Sequence, residues 1–83
     1  MIKPIINING SSKEDLMRGR IDAIDALESV IKMLKLVTPN GRDYPNDLSQ
    51  CIADRDKHYA RINQLRDIQN ELLQEALYIQ REA

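Results

Sequence analysis

Ten residues in the middle of the chain decide most of what it can fold into. The run Thr38-Pro39-Asn40-Gly41-Arg42-Asp43-Tyr44-Pro45-Asn46-Asp47 holds two of the three prolines and is the one place where turn residues cluster. Pro39 disfavours helical geometry at Thr38, and Asn40-Gly41 supplies residues that tolerate positive φ. A long helical pattern runs away from this loop on each side. The reading that follows is an all-α antiparallel hairpin with a short N-terminal strand or arm: 2–8 arm, 12–37 first helix, 38–47 loop, 48–81 second helix.

The first helix has a start signal in Ser11-Ser12-Lys13-Glu14-Asp15. Ser11 with Glu14, or Ser12 with Asp15, makes a capping box, and the acids suit the positive helix end. Leu16, Ala23, Ile24, Leu27, Val30, Ile31, Leu34 and Val37 then form one apolar stripe. Gly19 costs about 1 kcal/mol relative to Ala inside a helix, and marks a close approach or a slight bend. Met33 and Leu36 lie well off the stripe, so a single antiparallel neighbour leaves one of these faces bare. Asp47 with Gln50 opens the second helix. Its stripe runs from Leu48 and Cys51 through Ile62, Leu65, Ile68, Leu72, Leu73 and Ala76 to Leu77 and Ile79, near-heptad from Ile62 onward. Arg55, His58 and Gln69 interrupt it.

Folding the helices directly back on each other sets Leu34 near Cys51, Leu27 near His58, Ile24 near Ile62 and Leu16 near Gln69. The first helix then runs out near Leu73, leaving Leu77 and Ile79 without a partner in the same hairpin. In the arm, Ile2, Pro4, Ile6 and Ile8 share one face and Ile5 takes the other. Pro4 cannot donate to a ladder, which confines the segment to an edge strand or an extended arm. The arm either covers the overhang or pairs with its copy in a second subunit; the balance of the pattern favours the second. The expected oligomer surface is therefore Ile6, Ile8, Met33, Leu36, Leu73, Leu77 and Ile79, with two hairpins closing a four-helix bundle.

Composition narrows the function. One cysteine allows no internal disulfide, and one histidine beside it is no zinc site. With no Trp and no Phe, the core must come from aliphatic residues and association is the remaining source of buried area. A net charge of −1 with mixed signs argues against nucleic-acid binding. No apolar run suggests a signal peptide or a membrane span, and a lone thiol suits the cytoplasm.

Four constellations could carry chemistry. Asp22, Asp25 and Glu28 echo the carboxylates that hold Mg²⁺ in all-helical nucleotide hydrolases, yet they share an outer face with Glu14, Arg18 and Lys32 and read as solvated. His58 lies seven residues from Cys51, about 10 Å along a helix, too far for a nucleophile–base pair; it reads instead as a polar insert that fixes register, as does Gln69. Arg18 and Arg20 could meet phosphate, but Asp15 and Asp22 neutralise the local field. The best candidate is the loop, where Asn40, Arg42, Asp43 and Tyr44 display a guanidinium beside an aromatic ring between rigid helix ends. The competing reading is that these residues merely make the turn. No cofactor is implied.

Ile8-Asn9-Gly10-Ser11-Ser12-Lys13-Glu14-Asp15-Leu16 and Thr38-Pro39-Asn40-Gly41-Arg42-Asp43-Tyr44 resemble segments of small uncharacterised accessory proteins encoded by bacteriophages and prophages. There a short strand with an Asn-Gly turn leads into a helix, and an Asn-Gly-Arg-Asp-Tyr loop joins it to another. The resemblance implies a phage accessory role in the host cytoplasm, of the kind that blocks or diverts a host factor. The expected function is a non-enzymatic binding protein, an inhibitor of a bacterial protein. The alternatives are an oligomeric nucleotide-sequestering protein using Arg18, Arg20 or Arg42, and a Mg²⁺-dependent nucleotide hydrolase.

Overall fold

Two α-helices of unequal length, α1 over Lys13–Leu36 and α2 over Leu48–Arg81, lie antiparallel in a rod of 62 × 18 × 15 Å. The computed structural model describes residues 1–6 and 12–82. Between the helices, Gly41–Asp43 form a single 3-10 turn. No strand occurs among the described residues.

Both helix starts follow the local chemistry. Ser12 is the N-cap of α1, its Oγ accepting from Asp15 N–H at 3.1 Å, with Glu14 and Asp15 in the first turn. The alternative cap, Ser11, lies outside the described residues. Asp47 caps α2 by accepting from Gln50 N–H at 3.0 Å. At the other end of α1, the Val37 N–H turns back to the Leu34 carbonyl, one residue before the segment that Pro39 forbids from being helical.

The register differs from the expected one by a heptad. His58, expected beside Leu27, donates from Nε2 to the carbonyl of Leu34 at 2.7 Å, seven residues further along α1. Gln69, expected beside Leu16, donates to the carbonyl of Ile24 at 3.1 Å. Glu28 pairs with Arg66, and Arg20 with Glu75. The reason lies in the path of the loop. A tight turn consumes no length of α2, whereas this loop runs back along the first turns of α2 before the chain reverses. The loop is fastened to α2 where Arg55 Nε donates to the Pro39 carbonyl at 3.0 Å and the Tyr44 hydroxyl to Asp54 at 2.6 Å. The loop therefore occupies the stretch of α2 that the expected register gave to α1.

Two corrections follow. The extra length of α2 sits at the loop end, not at its C-terminus. Ile79, expected to overhang as interface surface, is 0% exposed within the single chain. Leu77 stays partly exposed beside it. The rest of the buried apolar core is Ile31, Cys51, Ile62 and Ala76.

The N-terminal segment is an arm rather than a strand. Residues 1–6 lie beside the last turns of α2: Met1 and Ile2 line a shallow cavity with Glu71, Gln74 and Glu75, and Ile6 lines another with Tyr78 and Glu82. Lys3 Nζ sits 5.7 Å from the centroid of the Tyr78 ring, within cation–π range. The expected alternation holds in part, with Pro4 and Ile6 half-buried and Ile5 turned to solvent. Ile8, expected at the oligomer interface, lies outside the described residues.

Candidate functional site

The loop is held by its own polar groups. Asn40 Oδ1 accepts from the Arg42 N–H at 2.9 Å and from Arg42 Nε at 3.4 Å, which caps the 3-10 turn and draws the guanidinium back over it. Asp43 is exposed and makes no ion pair with Arg42. Tyr44 folds onto α2, where its hydroxyl meets Asp54 Oδ2; Gln50 Nε2 donates to the other oxygen, Oδ1, at 2.7 Å. The consequences for titration are opposite in sign. Donation to a carboxylate, with burial, pushes the Tyr44 phenol up to about 12. The same bond, with that from Gln50, holds the Asp54 carboxyl below its usual range.

Around this latch both helices carry bare apolar side chains. Leu36 is 86% exposed, and Val37 and Leu48 are also largely exposed, as is Ile52 one turn further along α2. These lie within two turns of the loop.

The second part of the site is a ladder of polar contacts between the helices. His58 is completely buried, and because a carbonyl only accepts, its Nε2 must carry the proton to bond Leu34. Nδ1 is buried without a hydrogen-bond partner among the described residues. Leu34 is in the last turn of α1, where its carbonyl already accepts from the Val37 N–H, and His58 adds a second bond to it from α2. Gln69 bridges the Ile24 carbonyl and Glu28, and Arg66 reaches the same carboxylate at 2.7 Å. Those contacts, Gln69 first, keep the Glu28 carboxyl below its ordinary range. Both expected register inserts, His58 and Gln69, bond the opposite helix.

The residues expected to bind a partner or ligand are distributed as follows. Asn40, Arg42, Asp43 and Tyr44 are together on the loop. Arg18 is exposed on α1 between Glu14 and Asp22 and makes no ion pair among the described residues. Arg20 is engaged elsewhere: Nε meets Glu75 Oε1 at 3.1 Å and Nη1 donates to the Leu16 carbonyl, with both charged side chains largely buried. A phosphate at Arg20 would have to displace Glu75. Of the three outer-face acids, Glu28 is committed to Arg66 and Gln69, while Asp22 and Asp25 are exposed. Among the described residues no three His, Cys, Asp or Glu side chains gather as a metal-binding group.

The partners on α2, Asp54, Arg55, Arg66 and Glu75, were not anticipated as contacts. Arg55 carried a usable signal, as a polar residue on an apolar stripe. Asp54 and Glu75 carried none, since an acid on a helix flank is ordinarily solvated.

Comparison with protein-family models, with curated proteins and with solved structures finds no match to this chain. No helix among the described residues is long and apolar enough to cross a membrane.

Proposed function

We propose that this chain is a non-enzymatic binding protein of the phage accessory kind, an inhibitor of a bacterial host protein that acts in the host cytoplasm. It engages its partner with the loop end of the hairpin and works as a homo-oligomer. The observation that carries the reading is the pairing of a fastened polar loop with bare apolar side chains next to it. Tyr44–Asp54, Arg55–Pro39 and Asn40–Arg42 fix the loop, while Leu36, Val37 and Leu48 remain in solvent. A preorganised surface loses little conformational entropy on binding, and an apolar centre with a polar rim is the usual anatomy of a protein interface.

The test is affinity capture from a bacterial lysate with the wild-type chain, Leu48→Asp and Arg42→Ala. These exposed positions can change without unfolding the hairpin. A single host protein retained by wild type and lost by Leu48→Asp supports the proposal. Equal retention by all three chains removes the loop end from it. The nucleotide-sequestering alternative is separated by a thermal-shift panel of nucleotides, because a tight ligand raises the melting temperature. The hydrolase alternative is separated by phosphate release with Mg²⁺ present.

A further inference from the structure

The helix α1 carries a second apolar line that the hairpin covers only in part. Ile24, Leu27, Ile31 and Leu34 serve the contact with α2. About 100° further round the helix, Leu16, Gly19, Ala23, Ala26, Val30 and Met33 recur at alternating spacings of three and four, the pattern of a coiled-coil seam. Leu16 and Ala23 are half-buried and the other four are exposed, Met33 by 68%. Gly19 is the anomaly. It has no positive φ, and a Cβ placed on it would meet nothing within 4 Å. Among the described residues nothing uses a glycine there, whereas a second helix approaching closely from outside would.

The order of sizes along the line selects the occupant. In an antiparallel pair of identical seams, Leu16 faces Met33, Gly19 faces Val30 and Ala23 faces Ala26. Gly19 is matched by the larger Val30 of the other copy and alanine meets alanine between them, so the four central layers have similar volume. A parallel pair would stack Gly19 on Gly19 and Met33 on Met33, and the helices would splay.

The flank of α2 fits the same register. Gln69 lies level with Ile24, so the two-fold axis between Ala23 and Ala26 passes close to Ile68. On the side of α2 away from the groove lined by Ile21, Arg66 and Leu73, the residues Arg61, Ile68 and Glu75 succeed one another at intervals of seven. The axis sets Ile68, which is 43% exposed, against its own copy, whereas Glu75 is buried and held by Arg20 of its own chain. The face is about 36 Å long, at 1.5 Å per residue, and 18 Å across. That gives about 1,300 Å² from both copies, within the range of specific interfaces.

We infer that two copies of this chain dock antiparallel through the Leu16–Met33 line of α1, closing a four-helix bundle. This rests on the self-association proposed above and assigns its surface and direction.

The test uses the full-length chain. Sedimentation velocity over a wide concentration range should give a dimer, and Gly19→Leu should raise its dissociation constant by about tenfold or more by overfilling the layer with Val30. Met33→Glu, at an exposed site, should act in the same direction with unchanged helical circular dichroism. In a Cys51→Ser background, the double variant Gly19→Cys/Val30→Cys should crosslink between copies on oxidation, and Gly19→Cys alone should not. A wild-type chain that is monomeric throughout would overturn both self-association and the seam. A dimer indifferent to Gly19→Leu and Met33→Glu, or one in which Gly19→Cys alone crosslinks, would overturn the seam while leaving self-association standing.

Discussion

Replacing Ile79 by alanine tests the register directly. With the helices folded tightly back, Ile79 would hang beyond α1 and its truncation would cost almost nothing. In the observed register it is completely buried in the last turn of α2. The change deletes three buried carbons, each worth about 0.8 kcal/mol of transfer free energy. The cavity left behind adds to this, and measured Ile→Ala costs run from about 2 to 5 kcal/mol. Alanine's better helix propensity returns a few tenths of a kcal/mol. The net expectation is a loss of about 3 kcal/mol, which lowers Tm by roughly 15 °C for a domain of this size. The assay is thermal and urea unfolding followed by circular dichroism, at one fixed protein concentration because an associating chain has a concentration-dependent Tm. Leu77→Ala is the internal control, since that side chain is 41% exposed and should lose no more than about 1 kcal/mol. If Ile79→Ala costs no more than Leu77→Ala, the register is wrong.

Other consequences can be checked with the same unfolding assay or a simple reagent. Arg20→Ala strands the largely buried Glu75 carboxylate and should cost about 2 kcal/mol, while Arg20→Leu/Glu75→Leu should recover most of it; equal losses in the single and double variants would refute the pairing. Tyr44→Phe should destabilise the chain most between the two titrations of the latch. Asp54 has a lowered folded pKa, so its contribution is present above the ordinary carboxylate value and fades as pH falls through the lowered one. Tyr44 has a raised folded pKa, so its contribution is complete below pH 10 and is lost as pH rises toward about 12. A Tyr44→Phe difference that stays constant across both limits would exclude the latch. Cys51 is buried, so its thiol should react with Ellman's reagent only as fast as the hairpin opens, and promptly in urea; immediate reaction in the native state would contradict its placement.

The sequence by itself determined the two helices and the connection between them. Ser12 and Asp47 cap where side-chain chemistry requires, Pro39 closes off α1, and the apolar stripes choose the faces that meet. It also marked His58 and Gln69 as polar inserts in an apolar seam. What it left open was how far the helices slide along each other. An apolar line that repeats every seven residues packs almost equally well after a shift of seven, so periodicity alone allows a series of registers. The choice among them belongs to tertiary contacts: Arg55 on the Pro39 carbonyl, Tyr44 on Asp54, His58 on Leu34 and Gln69 on Ile24. Each is a directional bond, and these four would be broken together by a slip of one heptad. That slip decides whether Ile79 is bare or buried and whether Arg20 is free for a ligand or held by Glu75. Local pattern fixes which faces are apolar; only the path of the folded loop fixes which residues share them.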